Sequence, residues 1–126
     1  MCSCEKENDY EKFLRQHVDE EHRNRNYDDT YCTQMMESRK MTTGNCKFTN
    51  SFIHANKNEV LAVCSKSKTD IRIIKDQFKV TTCKYQKGTG GPPCKYKADN
   101  SISCINITCC DNMPVHLYLR SNYDEA

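Results

Sequence analysis

The chain has 126 residues, 37% of them apolar, no Trp and a formal net charge of +2, with a mean hydropathy of −0.88. That is one domain's worth of chain with material for one modest core, and no apolar run approaches the roughly 20 residues that cross a bilayer. A membrane span, a multidomain enzyme and a long repeat array are excluded. Ten Cys in so short a chain mark a disulfide scaffold and point to an oxidising, secreted setting. Met1 is followed directly by polar residues, so the sequence reads as a mature chain carrying an added start Met. Charge is unevenly spread: residues 1–31 carry 5 basic and 9 acidic side chains, whereas residues 32–123 carry 14 basic and 6 acidic ones. A basic centre suits a polyanionic partner, although ordinary surface scatter explains it equally well.

Residues 1–8 read as a polar N-terminal extension, and residues 9–126 as a single domain. From Asp9 the spacing predicts a helix whose face holds Tyr10, Phe13, Leu14 and His17, which turns His17 toward the body of the protein. Glu20 to Asp29 has no apolar periodicity and reads as an exposed connection. A second helix over Thr30–Lys40 would bury Cys32, Met35 and Met36. Asn56 with Glu59 three residues later signals an N-cap and a short helix through Val60, Val63 and Cys64. The remainder alternates with period two, predicting strands over Lys47–His54, Ile71–Ile74, Phe78–Tyr85, Lys95–Cys109 and Val115–Leu119. The GTGGPP run at Gly88–Pro93 is the strongest turn signal. Helices first and strands later make the class α+β with a mostly antiparallel sheet.

Four His are available: His17, His22, His54 and His116. Two imidazoles with unperturbed pKa values near 6.5 suit acid–base chemistry at neutral pH, and a neighbouring Lys could stabilise charge developing on a phosphoryl group. There is no Walker loop, GxSxG, HExxH or paired zinc-finger spacing, and Cys2, Cys4, Cys109 and Cys110 lack His partners at ligand spacing. Disulfides, not a metal, are the expectation for the cysteines.

The run Cys46-Lys47-Phe48-Thr49-Asn50-Ser51-Phe52-Ile53-His54 resembles the CKxxNTFxH signature of the ribonuclease A superfamily. Phe13-Leu14-Arg15-Gln16-His17 is similar to the helix that carries the family's first catalytic His, and Pro114-Val115-His116-Leu117 to the strand that carries its second. Phe78–Cys83 and Pro92–Tyr96 look closest to the angiogenin branch, to which a fish or other non-mammalian member could belong. The resemblance implies three helices packed on a bent, mostly antiparallel sheet, stapled by Cys32–Cys83, Cys46–Cys94 and Cys64–Cys109. It also implies a secreted endoribonuclease that cleaves single-stranded RNA 3′ to pyrimidines through a 2′,3′-cyclic phosphate, with no cofactor and no metal. His17 would be the general base, His116 the general acid, and Lys47 the stabiliser of the charged transition state. Gln16 and the backbone N–H of Leu117 would hold the phosphate, Asn50, Ser51 and Phe52 would form the pyrimidine pocket, and Lys12, Arg15 and Lys66 would hold neighbouring phosphates. The expected partner is RNA, bound by a monomer.

A second reading makes the chain an angiogenin-like signalling or antibacterial protein with weak ribonuclease activity. Its basic centre would then meet cell-surface glycans, a receptor or a bacterial envelope, and family analogy adds uptake to the nucleus or nucleolus. The chain departs from the family pattern in Tyr118, where an Asp is usual beside the second His, and in a short segment between Cys64 and Cys83 that lacks an extra Cys pair. Cys110 stands where an acidic residue is common, and Leu119-Arg120-Ser121 lies where angiogenins fold back on the pyrimidine pocket. Arg39-Lys40 lies near the basic cluster of angiogenins, but two adjacent basic residues are commonplace. Cys104 and Cys110 sit on one predicted strand, about 20 Å apart if extended, so they cannot pair without a bend. A bridge from the N-terminal extension to that strand is expected, with an intermolecular disulfide left open. The sequon Asn106-Ile107-Thr108 falls on the same strand.

Overall fold

A computed structural model describes residues 8–20, 26–65, 71–86 and 93–119. The polar extension, His22, Lys66, residues 88–92 of the GTGGPP turn and the chain beyond Leu119 lie outside the described residues, as do the side chains of Ile71–Ile74 and of Tyr118.

Helix α1 spans Asn8–His17, with Asp9 and Glu11 in its first turn and Arg15 and His17 in its last. That arrangement complements the helix dipole at both ends. Its inward stripe is Phe13, Gln16 and His17, all buried. The chain then straightens: Val18 makes a parallel bridge to Ile53, and the Asp19 N–H donates to the Ile53 carbonyl at 3.0 Å. Helix α2 spans Asp29–Ser38, one residue earlier at its start and two residues shorter at its end than the sequence suggests. Asp28 caps it by accepting from the Tyr31 N–H at 2.9 Å. Its end is a Schellman-type turn, in which Met41 N–H donates to the Met36 carbonyl at 2.8 Å and Lys40 takes a left-handed φ of 63°. Helix α3 spans Lys57–Ser65, and the Asn56 side chain accepts from the Glu59 N–H at 2.9 Å, the cap read from the sequence.

The sheet has four strands in the order β1-β2-β3-β4, all antiparallel neighbours: β1 Thr49–Ile53, β2 Ile71–Tyr85, β3 Tyr96–Cys110 and β4 Met113–Leu119. The two predicted strands around residues 71–74 and 78–85 are one strand. The polar interruption between them is a register shift between Ile73 and Gln77, which bends the ladder without ending it. A two-residue turn, Asp111 and Asn112 with φ of 50° and 65°, joins β3 to β4. Two positive φ values are the signature of the turn whose twist matches an antiparallel pair.

Two clusters of buried side chains lie against this sheet. One joins Phe13 and Val18 to Ile53, Ile105, Ile107 and Leu117, with α3 contributing Val60 and Cys64. The other packs Tyr31, Met35 and Met36 of α2 on Phe52 and Tyr96. The three expected disulfides are present: Cys32–Cys83, Cys46–Cys94 and Cys64–Cys109, with Cα separations of 5.4, 5.6 and 5.6 Å. Each closes a loop of 45–51 residues and is worth roughly 2–4 kcal/mol. Cys110 is disulfide-bonded as well, its partner outside the described residues. The expectation of an exposed connection before α2 fails at Tyr27. Its ring stacks on the His54 imidazole at 3.8 Å, and so closes that side of the second cluster.

Candidate active site

Helix α1 packs against β1 and β4, so the last turn of a helix meets the strands that carry Ser51 and His116. His17 is the final residue of α1 and is 1% exposed. Its Nδ1 lies 2.9 Å from the Ser51 carbonyl oxygen. A carbonyl only accepts, so Nδ1 carries the hydrogen, and in the neutral ring the lone pair is left on Nε2. An imidazole held in that tautomer can take a proton at Nε2.

Lys47 sits in the loop before β1, its N–H on the Met41 carbonyl at 3.1 Å and its own carbonyl accepting from the Tyr96 hydroxyl at 2.6 Å. The ammonium donates to Asn50 Oδ1 at 2.9 Å, and Asn50 Nδ2 donates to the Gln16 carbonyl at 2.7 Å. Asn50 is wholly buried, so its amide ties the ammonium to the turn of α1 that holds His17. Burial, with Tyr85 beside it, pushes the Tyr96 phenol up to about 12, so it stays a donor to Lys47 through the physiological range.

His116 is half-buried on β4, opposite Thr108 of β3, and the next residue, Leu117, is buried opposite Ile107. Ser51 pairs with Thr82 across β1 and β2, and the two hydroxyls are 2.7 Å apart. Phe52 follows Ser51 on β1. Its ring is fully buried in the second cluster, because strand alternation turns it to the face opposite Ser51. Lys12 is exposed on α1, while Arg15 is half-buried and donates from Nη1 to the Arg39 carbonyl at 2.6 Å. Both line a groove that also holds Asp9 and Glu11, so its field is mixed. His54 stands outside this group, with Nδ1 on the Asp19 carbonyl at 2.9 Å and Nε2 on Thr81 Oγ1 at 2.7 Å.

Three residues of the site, Thr82, Tyr96 and Arg39, lie in segments the sequence singles out but receive no role there. Thr82 could have been found from strand register, once Ser51 was known to lie on β1. Tyr96 and Arg39 act through backbone carbonyls far away in sequence, and no local pattern marks them.

The profile of the pancreatic ribonuclease family matches residues 8–118. The chain belongs to that family. A ribonuclease of the turtle Chelydra serpentina is 45% identical over 111 residues, covering 85% of this chain and 93% of that one. Mouse angiogenin is 41% identical over 111 residues, covering 85% of this chain and 74% of that one. The solved structure of green turtle egg white ribonuclease superimposes with a TM-score of 0.76 at 41% identity, covering 94% of this chain and 98% of the other. Ribonuclease chemistry and a disulfide-stapled α+β fold go with this membership. Members are typically secreted, and among the described residues no helix is long and apolar enough to cross a membrane.

Proposed function

We propose that this family member cleaves single-stranded RNA on the 3′ side of pyrimidines, with His17, Lys47 and His116 carrying the reaction. His17 Nε2 takes the proton of the ribose 2′-hydroxyl, whose oxygen attacks phosphorus. The bond from phosphorus to the 5′-oxygen breaks, and His116 protonates the departing oxygen. The Lys47 ammonium stabilises the charge that builds on the phosphoryl oxygens. The product is a 2′,3′-cyclic phosphate, which water opens with the two His roles exchanged. DNA lacks the nucleophile and is not a substrate.

The observation that carries this reading is the bond from His17 Nδ1 to the Ser51 carbonyl at 2.9 Å, which fixes the tautomer a general base needs. In the same reading Gln16 and the Leu117 N–H hold the phosphate, Lys12 and Arg15 hold flanking phosphates, and the Ser51 hydroxyl reads a pyrimidine. Asn50 serves Lys47 rather than the base, and Phe52 contributes through its backbone alone. Secretion is supported by the three disulfides, which persist in oxidising compartments.

A second reading, an angiogenin-like protein with weak turnover, is favoured by one observation. Ser51 Oγ is already engaged with Thr82 Oγ1 at 2.7 Å, so a pyrimidine meets a hydroxyl with its donor or one of its lone pairs already used.

Oxidised protein incubated with an RNA holding one pyrimidine–purine step tests the assignment. Scission at that step with a cyclic phosphate end, lost in His17→Ala and in His116→Ala, is the expected result. An undiminished rate in either folded variant removes that residue from the mechanism.

A further inference from the structure

The last four carbonyls of an α-helix have no donor within the helix, and terminal turns fray unless something holds them. His17 is the last residue of a ten-residue helix, where fraying would be greatest. Four carbonyls around it are nevertheless engaged. Gln16 O accepts from Asn50 Nδ2 at 2.7 Å. Leu14 O, Arg15 O and Val18 O accept from one nitrogen, Arg39 Nη1, at 3.2, 2.8 and 3.0 Å. The two N–H bonds of that nitrogen are shared among carbonyls on both sides of His17.

The guanidinium is itself held by two further contacts, and the Arg39 backbone by two more. Its Nη2 lies 3.5 Å from Asp19 Oδ1, and the Asp19 carboxylate also accepts from the Tyr31 hydroxyl at 2.6 Å. Its carbon stands 5.9 Å over the Phe52 ring. The Arg39 carbonyl accepts from Arg15 Nη1 at 2.6 Å, which returns the contact to α1. The Arg39 backbone is the C-cap of α2, immediately before left-handed Lys40, so the root of the side chain is set by a helix end.

We propose that Arg39 is a positioning residue for His17: it clamps the last turn of α1 from the end of α2, and so holds the His17 ring against the Ser51 carbonyl. The proposal rests on the reading of His17 as the general base. The Arg39 Nη1 is committed to three carbonyls, which leaves a substrate phosphate only the Nη2 and Nε edge. The planar fork explains why Arg is used. A Lys ammonium could reach these oxygens, but it has no second nitrogen to meet Asp19 at the same time and no planar face to set over Phe52. A catalytic group displaced by about 1 Å loses on the order of 100-fold in rate.

The test compares Arg39→Met, Arg39→Lys and Lys40→Gly with the unmodified protein on a pyrimidine–adenosine dinucleoside phosphate, well below each Tm. Lys40→Gly removes the neighbouring charge without touching the clamp. Expected results are a kcat lowered about 10–100-fold in Arg39→Met with KM within about twofold, a smaller kcat loss in Arg39→Lys, and no change in Lys40→Gly. The ¹⁵N signals of the His17 ring provide a second readout. The unmodified protein should show the Nδ1–H tautomer alone, and Arg39→Met a mixture. Where Arg39→Met does not fold, Arg39→Lys carries both readouts. An unchanged kcat and tautomer in a folded Arg39 variant overturns the proposal. So does a raised KM at constant kcat that grows on long RNA and fades with salt, because Arg39 would then be a phosphate contact. His17→Ala is run in parallel: if it stays active, the general-base assignment has failed, which is a different outcome from an inactive His17→Ala beside fully active Arg39 variants.

Discussion

Lys47 and Asn50 are joined by a 2.9 Å hydrogen bond from the ammonium to the amide oxygen, and the other end of that amide is 2.7 Å from the Gln16 carbonyl. A flexible side chain is thus held at one distance from a helix end. Asn50→Ala should lower kcat about 10-fold or more by freeing the ammonium and stripping Gln16 of its donor. Lys47→Ala should cost about 100–1000-fold, as loss of a transition-state donor does elsewhere. Because Asn50 acts partly through Lys47, the effects should be less than additive, the double variant falling below Lys47→Ala only by the share that runs through Gln16. Steady-state kinetics on a dinucleoside phosphate across this cycle measures the coupling.

Ser51 and Thr82 face each other across β1 and β2 with their oxygens 2.7 Å apart. A base that needs the same donor or lone pair of the Ser51 hydroxyl competes with Thr82 for it, and a hydrogen bond of this kind is worth about 1 kcal/mol. Thr82→Ala should therefore raise kcat/KM on pyrimidine substrates about fivefold, by the same free energy. Comparing cytidine and uridine substrates in the variant would show whether the released hydroxyl donates or accepts. A fall in kcat/KM would mean that Thr82 supports the pocket instead of closing it.

Helical periodicity made α1 legible, and with it the inward direction of His17, because Phe13, Leu14 and His17 share one stripe whatever the rest of the chain does. The Asn56 cap was legible for the same reason: its partner Glu59 is three residues away. The disulfide pairing and the roles of Lys47 and His116 were legible only through family resemblance. What stayed hidden is non-local. The polar residues between Ile73 and Gln77 read as a break, and only the pairing with β3 shows that the strand continues. Tyr27 looked like part of an exposed connection until its stack on His54 was seen. Resemblance places Asn50, Ser51 and Phe52 together at a pocket, and only strand alternation shows that the Ser51 and Phe52 side chains take opposite faces. Arg39 read as half of an ordinary basic pair, since the carbonyls it serves are 21–25 positions away.

Tyr96 links alkaline stability to the site. Its phenol is raised from 10.0 to about 12, first by burial and then by Tyr85, and it donates to the Lys47 carbonyl. Between these values the native state keeps a proton that the unfolded chain releases. The contribution is whole below pH 10 and is lost as pH climbs toward 12, by roughly 2–3 kcal/mol in all. Urea unfolding at several pH values above 9 should show a steeper fall for the unmodified protein than for Tyr96→Phe. The Phe variant should start about 1 kcal/mol lower at neutral pH, because the Lys47 carbonyl loses its donor.

Lys40 holds a left-handed conformation, φ 63°, at the end of α2, with an exposed side chain. An L-residue is strained there by about 1–2 kcal/mol, while Gly is not, although Gly gives back part of the gain as extra freedom in the unfolded chain. Lys40→Gly should stabilise the protein by about 0.5–1 kcal/mol, raising Tm by about 2–5 °C. Gly44 provides the mirror experiment. Its φ is 81°, and a Cβ there would meet nothing within 4 Å, so Gly44→Ala probes backbone strain without a clash. It should lower Tm by a similar amount. Differential scanning calorimetry of the two variants and of their combination would give opposite shifts, and the sum in the double variant measures any coupling between these neighbouring positions.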